Sequence, residues 1–325
     1  MQEILYDEIP SLDLADFTAG DAQRKVAFVE KLGQAWQNIG FVAVKNHGLS
    51  DNLTERLYDD VKQFFALDDS IKTKYENANL AGQRGYIGKN KEHAKGRTTA
   101  DLKEFYHVGQ TVPAGVTLTE TYPDNIFPTE IADFEPAALE AFSTLEKAGI
   151  QLLRAAALYL NLPENYFDEK VIHGNSILRA IHYYPIEHPE LLPPDAVRAA
   201  AHGDINLITL LMGASAEGLQ VLRRDEKWIP ITALPEQIVV NVGDMLERLT
   251  NNVLKSTIHR VVNPPADKLK MPRFSIPFFM HPRSEMSLAC LPNCITAENP
   301  KQYEDTTAGD FLNQRLAEIG LTAKK

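Results

Sequence analysis

From Gly174 onward the chain is a succession of short β-branched or aromatic runs separated by turn residues: SILRAIHYYP, HGDINLITLLM, GLQVL, WIPI, QIVVNVGD, LKSTIHRVVNP and RFSIPFFMHP. No stretch of helical length separates them. That spacing predicts an all-β barrel or a double-sheet jelly roll and argues against a doubly wound parallel sheet. The preceding half reads differently. EIPSLDL alternates like a short strand, and from Asp21 apolar side chains recur at helical spacing (Val26, Phe28, Val29, Leu32, Ala35, Trp36) until Gly40. GFVAVKNHG reads as a strand ended by Asn46-His47-Gly48, with His47 a turn residue. Ser50 then caps a helix carrying Leu53, Leu57, Val61, Phe64 and Phe65.

Residues 68–100 are polar and broken by glycines, and DLKEFYHVG follows as a strand with Glu104, Tyr106 and Val108 on one face. Residues 110–136 lack periodicity but hold Tyr122, Ile126, Phe127 and Phe134, which predicts a long ordered loop. A wide apolar stripe from Glu135 to Leu160 predicts a long helix backing a sheet, and AGDFLNQRLAEIGL a last helix from Thr307 to near Gly320. The chain therefore divides into an N-terminal helix-and-strand region (1–110), a loop and supporting helix (111–172), a β core (173–285) and a C-terminal helix (286–325), all in one compact α+β unit that is mainly β at its centre.

Composition narrows the partners. A net charge of −11 disfavours nucleic acid, whose phosphates need a basic surface, without excluding small anions in a local field. No apolar run is long enough for a transmembrane helix, and MQEILYDEIP has neither the basic nor the apolar region of a secretory signal. Cys290 and Cys294 are too few for a disulfide framework and read as reduced thiols. The expectation is a cytoplasmic protein acting on a small molecule.

The candidate chemistry lies between His202 and Ser275. On a strand, His202 and Asp204 would project together, and Gly203 adds no bulk between them. A lone His-x-Asp is common and would pass as a surface pair. His259 alone would be a core histidine sharing a face with Thr257 and Val261, and Arg273 alone a salt-bridge former. Together they say more. Two histidines and one carboxylate are the facial ligand set of non-haem iron(II) oxygenases, with positions left open for other ligands. Arg273, with Ser275 two residues on, supplies a planar fork and a hydroxyl for a cosubstrate carboxylate.

The order of these motifs resembles the isopenicillin N synthase-like family of iron(II)/2-oxoglutarate oxygenases. GFVAVKNHG, FFALD, DLKEFYHVG, LRAIHYYP, GLQVLRRDEKWIPI, VVNVGDMLERLTNNVLKSTIHRVVNP and RFSIPFF carry the likeness along most of the chain in the family's order. The resemblance implies a double-stranded β-helix, a jelly-roll relative, with N-terminal and flanking helices. It implies iron at His202, Asp204 and His259, and the distal carboxylate of 2-oxoglutarate at Arg273 and Ser275, with Tyr184 helping. Three departures stand out: Gly203 where the family commonly has Thr, Thr250-Asn251-Asn252 for a Ser-Asn-Gly turn, and Phe127 for the Trp of an Asn-x-Trp-Pro. Asparagine tolerates the left-handed conformation, so the turn can survive.

The implied reaction consumes O₂ and 2-oxoglutarate, releases succinate and CO₂, and hydroxylates, desaturates or cyclises a small organic molecule. Arg179, His182 and Phe279 are candidate substrate contacts, with Phe105 and Tyr86 further candidates. Other readings remain open: an oxidase like isopenicillin N synthase or aminocyclopropane-carboxylate oxidase that does without 2-oxoglutarate, a hydrolytic metal site on a jelly roll, and a silent ligand-binding relative. The last would be expected to have lost a metal ligand.

Overall fold

The computed structural model describes residues 4–19, 21–80, 82–212 and 218–319. Twelve strands are formed among them: β1 (Ser11–Asp13), β2 (Phe41–Lys45), β3 (Gly85–Ile87), β4 (Glu104–Gly109), β5 (Ile177–Tyr183) and β6 (Ala199–His202). They continue with β7 (Ile208–Met212), β8 (Leu219–Leu222), β9 (Trp228–Pro230), β10 (Ile238–Val242), β11 (His259–Val261) and β12 (Arg273–Met280). The helices are α1 (Leu14–Thr18), α2 (Ala22–Asn38), α3 (Asp51–Phe65) and α4 (Asp69–Lys72). After them come α5 (Phe134–Tyr159), α6 (Asp168–Val171), α7 (Asp244–Leu249) and α8 (Ala308–Glu318).

Two sheets face each other. The larger has the order β1-β2-β10-β7-β12-β5-β4-β3, the smaller β6-β11-β8-β9. This double-sheet jelly roll is the expected class. Alternation along each strand of the larger sheet builds two cores. On β12, Ile276, Phe278 and Met280 point to the helices, joining Leu178 and Ala180 of β5 and Ile238, Val240 and Val242 of β10. The opposite face of the same strands gives Ile181, Tyr183 and Val239, which pack with Val221 and Val261 of the smaller sheet. A period of two on a sheet covered on both sides buries every position, so these strands read as continuous apolar runs rather than alternating ones.

The long helix α5 backs the larger sheet across β5, β7 and β12, with α2 and α3 packed on it. It begins and ends within one residue of expectation. Gly149 permits a close approach to β12, since a Cβ there would sit 2.5 Å from Met280 Sδ. The three helix starts fall where the sequence placed them, each with a capping side chain. Asp21 accepts from Gln23 and Arg24 at the start of α2, Ser50 from Leu53 at α3, and Thr307 from Asp310 at α8. The expected end of that last helix at Gly320 lies outside the described residues. Val26 departs from its assigned face, being 69% exposed.

The loop over 110–130 is ordered by specific bonds. Asn125 accepts from the Gly109 amide and donates to its carbonyl. Tyr122 donates to His173 O. The turn Asn251-Asn252 survives its departure: both residues take positive φ, 48° and 65°. HGDINLITLLM is a correction, because it is not one strand. β6 stops at His202 in the smaller sheet and β7 starts at Ile208 in the larger, and Asn206 holds the turn by bonding Ile208 O and Thr209 Oγ1. Asp204 therefore sits on the link between sheets.

Candidate active site

Between the sheets lies a cavity of about 560 Å³, and His202, Asp204, His259, Arg273, Ser275, Arg179 and Phe279 all line it. The first three converge. His202 and His259 are direct partners across the antiparallel β6–β11 pair, with ring centroids 4.5 Å apart. Asp204 Oδ1 lies 3.9 Å from His202 Nε2 and 3.7 Å from His259 Nε2. Each ring is oriented by its other nitrogen: His202 Nδ1 donates to Ala200 O at 2.7 Å and His259 Nδ1 to Thr257 O at 3.2 Å. That tautomer leaves both Nε2 lone pairs turned inward.

The carboxylate is oriented the same way. Asp204 Oδ2 accepts from Thr209 Oγ1 at 2.6 Å and Asn241 Nδ2 at 2.8 Å, which leaves Oδ1 for the centre. Burial pushes the Asp204 carboxyl up, but the two histidines, Asn241 and Thr209 hold it below its ordinary value. Burial and the neighbouring His259 lower His202 toward the neutral form. Two imidazoles and a carboxylate, with ligand atoms all within 4.8 Å of one another, suit a divalent ion such as Fe(II). Gly203 has a local reason: a Cβ there would meet Asp244 Oδ1 at 2.9 Å and Ser256 Oγ at 3.0 Å.

Arg273 is 6% exposed, and its Nε and Nη1 have no hydrogen-bond partner. A buried guanidinium left in that condition fits a site for an anion, and a carboxylate matches its fork. Ser275 follows on the same face of β12. The tyrosine opposite Arg273 is Tyr183, its cross-strand partner, with the guanidinium 4.9 Å from the ring centre. Here the sequence reading is corrected. Tyr184 lies one residue past β5 and outside the cavity lining, packed with Leu102, Ile186 and Ala196 under Lys89. A single step along a strand changes the face.

The same parity separates the substrate candidates. Arg179 lines the cavity, with its guanidinium 4.1 Å from the Phe105 ring centre and 5.2 Å from that of Phe279. His182 is a correction. It points to the opposite face, 2.8 Å from Glu104 and stacked on Phe274. Against the upward push of burial, His182, Tyr86 and Lys72 hold Glu104 down to about 2. Tyr86 belongs to that core cluster, and Phe105 lies under Arg179 rather than in the cavity wall.

Sequence reasoning missed the polar lining contributed by the polar stretch before β4. Arg179 Nε donates to His107 Nε2 at 2.6 Å and its Nη1 to Glu92 at 3.2 Å. Lys103 bridges Glu92 at 2.7 Å and Asp101 at 2.9 Å. Asp101 in turn accepts from the amide of Ala200, whose carbonyl holds His202. The only available signal was the alternation that sets His107 opposite to Tyr106, and no spacing rule joins residues 92, 101 and 179.

The geometry has counterparts among known proteins. Residues 9–130 match the model for the N-terminal region of non-haem dioxygenases in morphine synthesis, and 174–282 that of the 2OG-Fe(II) oxygenase superfamily. A 2OG-Fe(II) oxygenase family protein from Caulobacter crescentus superposes with a TM-score of 0.84 at 42% identity, over 95% of this chain and 98% of that one. A full-length Neurospora crassa protein, solved in complex with alpha-KG and thymine, superposes with 0.84 at 31% identity, over 95% and 96%. The 2-oxoglutarate-Fe(II) type oxidoreductase ppzC of Metarhizium majus is 31% identical, over 98% of this chain and 89% of its own length.

The chain belongs to the 2OG-Fe(II) oxygenase superfamily. It is an Fe(II)- and 2-oxoglutarate-dependent dioxygenase that uses O₂ and acts on a small molecule. Among the described residues, no helix is long and apolar enough to cross a membrane.

Proposed function

We propose that His202 Nε2, Asp204 Oδ1 and His259 Nε2 hold the iron, and that Arg273 and Ser275 hold the distal carboxylate of 2-oxoglutarate. The observation that carries this is the orientation of the three ligand atoms. Every other polar atom of those side chains is already bonded outward, so what remains converges on one point. When bound, the iron would activate O₂ with 2-oxoglutarate as the reductant, one oxygen atom leaving in succinate as CO₂ is released and the other being available to oxidise the substrate. This chain's residues position: Asn241 and Thr209 fix Asp204, Arg273 fixes the cosubstrate, and Arg179 and Phe279 meet a substrate whose C–H bond is hydroxylated.

The Neurospora crassa protein in complex with thymine is consistent with a compact substrate. Both cysteines are free, and the net charge is −11. The reading places the protein in a reducing cytoplasm, away from nucleic acid.

The test is succinate formation from 2-oxoglutarate that requires Fe(II), with His259→Ala folded but inactive and unable to bind the metal. Substrate oxidation without succinate would move the protein to the oxidases that dispense with 2-oxoglutarate. Retained metal binding in His259→Ala would remove that residue from the ligand set.

A further inference from the structure

We infer that the part of the substrate entering this cavity carries no charged group, because the cavity wall is already charge-balanced. The inference rests on Arg273 serving the cosubstrate. Five cations line the cavity among the described residues: Lys95, Lys103, Arg179, Arg273 and Arg315. Four of them are spoken for. Arg179 and Lys103 share Glu92 at 3.2 Å and 2.7 Å, and Lys103 also reaches Asp101 at 2.9 Å. Arg315 pairs with Asp244 at 2.7 Å and Glu318 at 2.9 Å, and Lys95 pairs with Glu318 at 2.9 Å. Arg273 alone in this group has no carboxylate beside it.

The carboxylates are equally committed. Glu92, Asp101, Asp244 and Glu318 are the partners just named, and Asp204 faces the two histidines. Glu247 accepts from the Ser256 amide, and burial raises its carboxyl toward the neutral form.

Glu92, Asp101 and Lys103 are buried, and Arg179 is partly so. Burial opposes charge on Glu92, yet Arg179 and Lys103 hold it well below the usual carboxylate range. Burial likewise opposes charge on Lys103, which Glu92 and Asp101 raise above its ordinary value. A carboxylate approaching Arg179 competes with Glu92 for one guanidinium, and an ammonium approaching Glu92 competes with Lys103 and Arg179 for one carboxylate. Either exchange strands a buried charge, which is costly when nothing replaces its partner. A neutral polar group disturbs neither pair. It can bond to the committed groups from the cavity side while its apolar part lies on Phe279. An amide, a lactam ring or an alcohol has this character, and a free amino acid does not.

The test is anaerobic titration of the Fe(II)–2-oxoglutarate complex with benzamide, benzoate and benzamidine. These share one ring and differ in charge, and their binding is read by the shift of the metal-to-cosubstrate absorption band and by melting of the metal-free protein. Benzamide is expected to half-saturate at a concentration about tenfold or more below either charged probe. Glu92→Gln unbalances the wall toward positive and should move the preference to benzoate. Arg179→Gln unbalances it toward negative and should move the preference to benzamidine. Two opposite variants keep the test decisive if one fails to fold. Should no probe perturb the wild-type protein, the variants decide alone: gain of the matching charged probe supports the inference and absence of gain overturns it. A charged probe that equals or beats benzamide in the wild type overturns it as well. Failure to form the absorption band at all would instead strike the assignment of iron and 2-oxoglutarate.

Discussion

Replacing Arg273 by methionine should weaken cosubstrate binding while leaving the empty protein more stable. Arg273 is buried with two nitrogens unpartnered, and each such group costs about 1–3 kcal/mol. Methionine has a similar reach, is unbranched and has nothing to satisfy. Its packing against Tyr183 would lose a cation–π contact worth about 0.5–2 kcal/mol. The balance is a gain centred on about 3 kcal/mol, or a rise of ~4 °C in melting temperature for a chain of this size.

The cosubstrate side moves the other way. Two charge-assisted bonds of about 1.5–3 kcal/mol each are lost, so 2-oxoglutarate should bind ~10²–10⁴-fold more weakly. The assay is thermal melting of the protein with and without 2-oxoglutarate, using Mn(II) in place of iron to prevent turnover. At a cosubstrate concentration 100 times its Kd the wild type should gain about 2.7 kcal/mol, and Arg273→Met should gain almost nothing. If the empty variant melts several degrees below the wild type, Arg273 is satisfied without an anion and the reasoning fails. If 2-oxoglutarate still stabilises the variant fully, its anchor lies elsewhere.

Asn241→Leu removes a 2.8 Å donor from Asp204 Oδ2 and should weaken Fe(II) binding about 10–100-fold, measured by titrating metal into the apo-protein; unchanged affinity would mean Asp204 needs no such support. Glu146, on α5, has a carboxyl pushed up to about 6 by burial and one oxygen without a partner. Its folded-state value exceeds the unfolded one, so stability is full below pH 4.5 and falls as pH rises through 6. Glu146→Gln should therefore stabilise the protein by about 1–2 kcal/mol at pH 7, allowing for its partial exposure, and by nothing at pH 4. Equal stabilisation at both pH values in denaturant melts would assign the effect to packing instead.

Much of the fold was readable because local signals and burial agree in it. The long stripe of α5 and the caps at Asp21, Ser50 and Thr307 depend on residues within a few positions of one another. The turn at Asn251-Asn252 was equally local. HGDINLITLLM misled because Leu207 and Ile208 look like a continuation of the strand through His202, when the chain is changing sheets. Parity was the second source of error. His182 and Tyr184 sit between cavity-facing positions of β5 or beyond them, and a run buried on both faces hides which side is which.

The sequence by itself supplied the proposed ligand types, their order, the arginine proposed for the carboxylate and the double-sheet class, through residue chemistry, short-range period and family resemblance. Only the tertiary structure decided that His202 and His259 meet as cross-strand partners, that Tyr183 rather than Tyr184 faces Arg273, and that Arg179 is neutralised by Glu92. Those three facts depend on strand register and on a contact between positions 87 residues apart. Neither is encoded in spacing along the chain, because both are set when the two sheets close over a common core.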